Sequence, residues 1–265
     1  MTSTTLLPTS SAVSSYERWQ RHFLQNRGAP RTMPWDDSQR LNTEERRLVA
    51  RSIQQFQLGE WARGRGLMRR ASAHPTLATD PCWLPALQLF IAEEQEHSNI
   101  LGRFLDREGI PRLRHHWLDG VFRRLRKLAG LELCATVLVT AETLAIPFYQ
   151  ALRDATRSPL LRAICVRILC DEAAHLKYQA LTLGLIRHAL GKRAKAFRSF
   201  GHATLFEGTA LLLWQQHRPV FRAAGWDFRR FWTESRREFA LLDRHIRQIL
   251  PDRASFDSYD RQRLD

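Results

Sequence analysis

Cysteine and lysine are both scarce in this chain of 265 residues. Only four cysteines are present, and none of them forms a Cys-x-x-Cys pair. This pattern fits neither a disulfide scaffold nor a zinc ribbon, and it indicates reduced thiols in a cytoplasmic protein. The N-terminal residues have neither a cationic start nor an apolar run, so the sequence predicts no secretion signal.

The apolar stretch 203–214 in the C-terminal part is short and contains one acidic residue. A membrane-spanning helix needs about 20 apolar residues, so we expect no membrane association from this stretch. It is expected instead to pack on the rest of the protein or to form a homodimer interface.

Lysine accounts for only four of the 41 basic side chains, which leaves 37 arginines and a formal net charge of +14. Cations are dense in residues 112–127, where aromatic side chains are interspersed. Such a segment could dock an anionic partner, such as a carrier protein or an RNA. It is also compatible with a solvated surface, which we favour. Nucleic-acid binding therefore stays open without being preferred.

No strand pattern is present, and apolar residues recur at three- and four-residue steps. This spacing predicts an all-α protein with helices over residues 43–71, 81–107, 129–156, 159–190, 193–222 and 227–249. The first four are expected to form a four-helix bundle within 41–190, with the helices of 191–250 packed on it and 251–265 as a tail. Residues 1–40 contain prolines and Ser/Thr runs and are expected to be irregular.

Each helix of the expected bundle has one glutamate in the middle of an apolar stripe. Two of the helices add a histidine three residues further on, a spacing that puts both side chains on one face. The resulting set contains six candidate metal ligands, namely Glu60, Glu94, His97, Glu142, Glu172 and His175.

Four ionised carboxylates inside an apolar bundle would repel one another and would be costly to bury. Two divalent cations remove this difficulty, because about +4 of metal charge balances about −4 of carboxylate charge. Two neutral imidazoles complete the ligand set. One Glu on each of two helices, with Glu-x-x-His on the other two, is the pattern of di-iron and di-manganese carboxylate bundles.

Each Glu-x-x-His pair follows directly after another acid, Glu93 or Asp171. These acids suit hydrogen bonds to the ring N–H of the histidine on the opposite helix, because histidine ligands usually have such a partner. We therefore expect Asp171 to pair with His97, and Glu93 to pair with His175.

Two further side chains leave alternatives open. Glu132 is a rival to Glu142, although its place near a helix start suits a surface acid. Tyr149 lies two turns beyond Glu142, where a core tyrosine with a satisfied hydroxyl is favoured over a redox role.

These residues resemble the ligand pattern of the ferritin-like di-iron carboxylate proteins, over about residues 43–190. The resemblance implies two iron ions as cofactors, with manganese or a mixed Mn/Fe pair as an alternative. It implies that Glu60 and Glu142 each bind one metal, that Glu94 and Glu172 bridge the two, and that each histidine binds one. It also implies reaction with dioxygen, an organic substrate that is carrier-bound in some members, and a reductase as electron donor.

The subfamily is not fixed by these residues. A ribonucleotide reductase small subunit would carry a tyrosine where this chain has Leu101, and a rubrerythrin would add Cys-x-x-Cys motifs. Arylamine N-oxygenases carry a further histidine where this chain has Ile168. We therefore expect an oxygenase or oxidase, with a ferroxidase, a tRNA hydroxylase and a non-catalytic metal-stabilised protein as alternatives.

Overall fold

The computed structural model describes residues 15–28, 32–60, 64–115 and 130–249. All regular structure within these ranges is helical, and no strand occurs in them. The α-helices in chain order are α1 (Ser15–Gly28), α2 (Thr43–Glu60), α3 (Arg65–Ser72), α4 (Trp83–Arg107), α5 (Leu131–Ala155), α6 (Pro159–His188), α7 (Lys192–Ala223) and α8 (Phe228–Gln248). The prediction of an all-α protein is confirmed for this part of the chain.

The interior is formed by two pairs of packed helices that contact each other through one helix of each pair. α2 packs along α4, α5 packs along α6, and α4 contacts α6. α7 lies against α5, and α8 lies against both α5 and α6. The C-terminal helices therefore cover part of the α5–α6 pair.

Side-chain caps explain where several helices begin. Asn42 Oδ1 accepts the backbone N–H of Glu45 at 2.8 Å, which starts α2. Ser158 Oγ accepts from the backbone N–H of Leu161 at 3.3 Å, and Pro159 takes the first helical position of α6. Asp227 Oδ1 caps α8 in the same way, accepting from the backbone N–H of Arg230 at 2.7 Å.

The most apolar helix of the described residues is α5, which is long and apolar enough to cross a membrane by composition alone. However, 78% of its most apolar window is buried inside the protein. Its side chains pack against α6, α7 and α8, so its apolarity is that of a core helix.

The expectation of one continuous helix over residues 43–71 is wrong. α2 ends at Glu60, and a separate helix α3 begins at Arg65. Gly64 has a positive φ of 63°, which a continuous α-helix does not allow. The apolar periodicity continues across the break because α3 also packs on α4, so periodicity alone did not reveal the break.

The expectation that residues 1–40 are irregular is wrong for residues 15–28, which form α1. Tyr16, Trp19 and Phe23 are buried on one face of this helix, which packs on α4. Charged and polar residues between them obscured this stripe. Most of the arginine-rich segment 112–127 and the tail 251–265 lie outside the described residues.

Gly64→Ala is expected to lower the free energy of unfolding by about 1–3 kcal/mol, because of strain at positive φ. A Cβ at this position would also lie 2.7 Å from Ile91. Gly66→Ala is the matched control, since its Cβ would meet only the flexible end of Arg70 within helix α3. Urea denaturation measures both variants, and equal midpoints for the two would contradict the prediction.

Candidate metal centre

Four of the six candidate ligands form a compact cluster between α4 and α6. The cluster consists of Glu94, His97, Glu172 and His175, each with a ligand atom within 4.8 Å of the others. Both histidines and Glu172 are fully buried, and the side chain of Glu94 is 14% exposed. Because the two members of each Glu-x-x-His pair lie three residues apart on a helix, both project towards the facing helix.

The outer nitrogen of each histidine is held by a carboxylate from the opposite helix. His97 Nε2 lies 3.0 Å from Asp171 Oδ2, and His175 Nε2 lies 2.9 Å from Glu93 Oε2. These are the two pairings expected from the sequence. Each ring is thereby oriented with its Nδ1 towards the interior of the cluster.

The inner nitrogens point at carboxylate oxygens. His175 Nδ1 lies 2.7 Å from Glu94 Oε1 and 3.8 Å from Glu172 Oε2. His97 Nδ1 lies 3.6 Å from Glu172 Oε1 and 4.0 Å from Glu94 Oε1. The two rings therefore face the same pair of glutamates, whose oxygens occupy the space between them.

Sequence reasoning missed Asn26 of α1. Its Nδ2 donates to Glu93 Oε1 at 2.6 Å and to Asp171 Oδ1 at 3.1 Å. One amide thus links the two acids that orient the two histidines. The signal was present, because Asn26 follows Phe23 by three residues and continues the buried stripe of α1.

Glu60 and Glu142 lie at the edge of the cluster rather than among its four most compact members. Glu60 is the last residue of α2, contacts Glu94 and accepts a hydrogen bond from the Tyr149 hydroxyl at 3.2 Å. Glu142, from the middle of α5, is 5% exposed and interacts electrostatically with Glu94, Glu172 and His175. Both carboxylates therefore interact electrostatically with members of the cluster.

Glu132 is not part of this site. Its carboxylate accepts from Arg187 Nε at 3.0 Å and lies 3.5 Å from Arg198 Nε. The choice of Glu142 over Glu132 therefore agrees with the geometry, since only Glu142 faces the cluster.

Several buried polar atoms that line the cluster have no hydrogen-bond partner within the described ranges. They are His97 Nδ1, Glu142 Oε2, Glu172 Oε1 and Glu172 Oε2, whereas Glu94 Oε1 and His175 Nδ1 face each other in an ion pair. Buried polar atoms are rarely left without partners, and a metal ion would satisfy all of these. The residues present therefore fit a metal site of carboxylates and imidazoles.

Without metal, protons hold the cluster together. Burial would lower the pKa of His97, but its contacts with Asp171 and Glu172 raise that pKa to about 10. Burial also opposes charge on His175, and its carboxylate contacts raise its pKa well above the usual value. Burial, together with the charges of Glu94 and Glu172, raises the pKa of Glu60 and of Glu142. Metal ions would therefore have to displace protons that these raised pKa values help the groups to keep.

Comparison of the chain with protein-family models, with curated proteins and with solved structures finds no match. Inferences about function therefore rest on the residues and geometry of this site.

Metal affinity is expected to rise with pH up to about 10, the pKa of His97 in the metal-free protein. The pKa values of His175, Glu60 and Glu142 are raised as well, so the metal-free protein keeps their protons below those values. Loading Mn²⁺ should therefore release protons. Titration calorimetry in buffers of different ionisation enthalpy measures how many are released. Glu142→Gln should release fewer protons than the unchanged protein, and a pH-independent affinity would contradict the prediction.

Asn26→Ala is expected to weaken Mn²⁺ binding about tenfold, because Glu93 and Asp171 would lose the amide that links them. Gln25→Ala, an exposed change on the same helix, is the matched control. Equilibrium dialysis gives both affinities, while circular dichroism checks that α1 remains folded. Equal affinities for the two variants would show that Asn26 does not position the histidine partners.

Proposed function

We propose that this protein is a non-haem di-iron protein that activates dioxygen to oxidise an organic substrate. The proposal rests mainly on the orientation of the two histidine rings. Both Nδ1 atoms point towards Glu94 and Glu172, and both Nε2 atoms are hydrogen-bonded to acids outside the cluster. An ordinary buried salt-bridge network would satisfy its inner atoms, whereas this one leaves His97 Nδ1, Glu142 Oε2 and both oxygens of Glu172 without a hydrogen-bond partner in the described part of the chain.

In this proposal the two halves of the site have equivalent ligands. Glu60 and His97 would hold one iron, Glu142 and His175 would hold the other, and Glu94 and Glu172 would be shared by the two. The electrostatic neighbours of the outer carboxylates support this division, since Glu60 interacts with His97 and Glu142 interacts with His175. A set of carboxylates and imidazoles without thiolate suits iron or manganese.

Two ferrous ions in the site would supply electrons for the reduction of dioxygen, which the side chains cannot do. The chain orients the ligands and excludes water. Phe90 packs its ring 4.9 Å from that of His175, and Ala145 and Ile168 are buried in the surrounding core. The Tyr149 hydroxyl holds Glu60 Oε1, and its burial raises its own pKa, so it stays a proton donor.

Full reduction of dioxygen to water takes four electrons and four protons. An organic substrate that loses two electrons supplies half of them, so a reductase would have to deliver the other two. A cytoplasmic location agrees with such a partner. The alternative is a ferroxidase, in which ferrous iron itself is the substrate and no organic molecule is oxidised.

The extra helices α7 and α8 favour the enzyme over the ferroxidase. They pack on α5 and α6, the helices that carry Glu142 and the second Glu-x-x-His pair. Helices in addition to the four ligand-bearing ones suit the enclosure of an organic substrate. Iron oxidation alone needs no such cover.

The purified protein, loaded anaerobically with ferrous iron, is expected to bind two irons per chain and to consume dioxygen on mixing with air. Iron analysis and an oxygen electrode measure the two quantities, and an optical spectrum follows oxidation of the iron. Glu94→Gln should reduce both by at least about tenfold, because it removes a bridging carboxylate.

Glu96→Gln is the matched control, since Glu96 lies two residues further along α4 and is exposed. Less than one iron per chain, or equal iron content in Glu94→Gln and Glu96→Gln, would overturn the di-iron site. Two bound irons without oxygen consumption would instead support a metal-stabilised protein that is not an enzyme.

A further inference from the structure

An exposed apolar surface lies where the first turns of α7 meet the start of α5. Phe197 and Phe200 of α7 are each 72% exposed, more than any other large apolar side chain that the structure describes. Leu133 of α5 is 40% exposed and lines the same cavity as Phe197. Because a phenylalanine that stays in water forgoes the gain of burial, this surface indicates a binding site for something apolar.

The two phenylalanines share one side of α7 with a basic residue. Residues three, four and seven positions apart lie on the same side of an α-helix. Arg193 precedes Phe197 by four residues and Phe200 by seven, and all three are exposed. His202 and Phe206, on the opposite side of the helix, are buried. The start of α7 therefore packs with one side and presents a cation and two aromatic rings to the solvent.

The surroundings of the exposed rings are cationic. Four basic side chains lie within two turns of Phe197, namely Lys192, Arg193, Lys195 and Arg198. The sequence has no acid between Glu172 and Glu207. Glu132 of α5 pairs with Arg198, but it also pairs with Arg187. No residue in the described ranges forms an ion pair with the other three basic side chains, so the uncompensated charge beside the rings is positive.

A second copy of the chain is a poor partner for this surface. A two-fold contact centred on the phenylalanines would bring the basic side chains of both copies together. Glu207, further along α7, is engaged by Arg236 of the same chain and would not compensate them. Like charges that meet across an interface weaken binding, so charge complementarity favours an anionic partner.

The apolar part of the surface favours a lipid bilayer over a nucleic acid. The cavity beside Phe197 has a volume of about 190 Å³, and its accessible wall is mostly apolar, with Val137 and Leu205 among the lining residues. Nucleotide bases stack on aromatic rings, but their polar edges need hydrogen-bond partners. Acyl chains need no such partners, so an anionic lipid surface satisfies both the apolar wall and the basic side chains.

We propose that the start of α7 binds the surface of an anionic membrane. Phe197 and Phe200 enter the boundary between headgroups and acyl chains, with Leu133 beside them, and the basic side chains of residues 192–195 meet the anionic headgroups. This contact needs no membrane-spanning helix, because the protein stays folded on one side of the bilayer. The inference does not depend on the di-iron site, so the metal-free chain can test it.

Vesicle flotation of the full metal-free chain tests this proposal. The protein should float with phosphatidylcholine vesicles that contain about one-third phosphatidylglycerol, and it should bind pure phosphatidylcholine at least about tenfold more weakly. Raising NaCl from about 0.1 to about 0.5 M should weaken binding to the anionic vesicles, because salt screens the charges. Absence of binding to the anionic vesicles, or equal binding to both kinds, would overturn the proposal.

The double variant Phe197→Ser with Phe200→Ser removes the apolar contact. It should bind the anionic vesicles at least about tenfold more weakly, while its melting temperature changes little because both rings are exposed. Leu24→Ser with Val166→Ser is the matched control, since these side chains are 49% and 47% exposed on α1 and α6. Equal binding by the two double variants would show that α7 is not the membrane contact.

Lys192→Glu with Arg193→Glu tests the charged part of the contact. The two acids suit the N-terminus of α7, so the helix should stay folded, and vesicle binding should fall at least about tenfold. Arg65→Glu with Arg69→Glu makes the same change of net charge at exposed positions of α3 and should have a smaller effect. Equal losses in the two pairs would indicate non-specific adsorption of a basic protein and would overturn the proposal.

Two further measurements distinguish the other occupants of this surface. Light scattering gives the oligomeric state, and a short oligouridine serves as a nucleic-acid probe. A dimer that dissociates in Phe197→Ser with Phe200→Ser would assign the surface to a second copy of the chain. Oligouridine binding that the same variant abolishes would assign it to a nucleic acid, and either result would overturn the proposal.

Discussion

The hydrogen bonds to the outer nitrogens of His97 and His175 are the constraint on which the candidate metal centre depends. A buried imidazole can present only one nitrogen inward, and the partner of the other nitrogen decides which one. Asp171 and Glu93 are hydrogen-bonded to the two Nε2 atoms on the outer side of the cluster. Both Nδ1 atoms therefore face Glu94 and Glu172. Reversal of either ring would replace a nitrogen in the cluster with a carbon and remove a potential ligand.

This constraint crosses between the two helices that carry the Glu-x-x-His pairs. The acid of α6 orients the histidine of α4, and the acid of α4 orients the histidine of α6. Relative sliding of the helices would therefore disturb both rings at once. Asn26 adds a third helix to this arrangement, because its amide holds both acids. The orientation of the site thus depends on α1, which supplies none of the inner oxygens or nitrogens.

The candidate ligands could be predicted from the sequence because a charged residue within an apolar stripe is costly to bury and therefore needs a specific partner. A glutamate in the middle of an apolar stripe, repeated on four helices and joined twice by a histidine, has few explanations other than metal. The pairing of Asp171 with His97 followed from the same repeat. The choice between Glu142 and Glu132 depended on their positions in the helix, because Glu142 lies in the middle of the apolar stripe and Glu132 lies near the helix start. In the structure, Glu132 pairs with Arg187.

The parts of the structure that sequence reasoning missed have a different physical origin. Asn26 lies near the C-terminal end of α1, a helix with many charged residues. Judged by its neighbours in sequence, its amide resembles that of a surface residue. The break after Glu60 depends on the positive φ of Gly64 and on its close approach to Ile91, which only the folded chain reveals.

The two polar sites also differ in how they meet the cost of burial. In the candidate metal centre, shared protons balance the carboxylates, because His97 and His175 lie between Glu94 and Glu172. Beside Arg187 protons cannot be shared in this way, since burial keeps His202 neutral and Glu132 already engages both arginines. A guanidinium cannot give up its proton in a protein, so the buried charge of Arg187 has to be met by the carboxylate of Glu132.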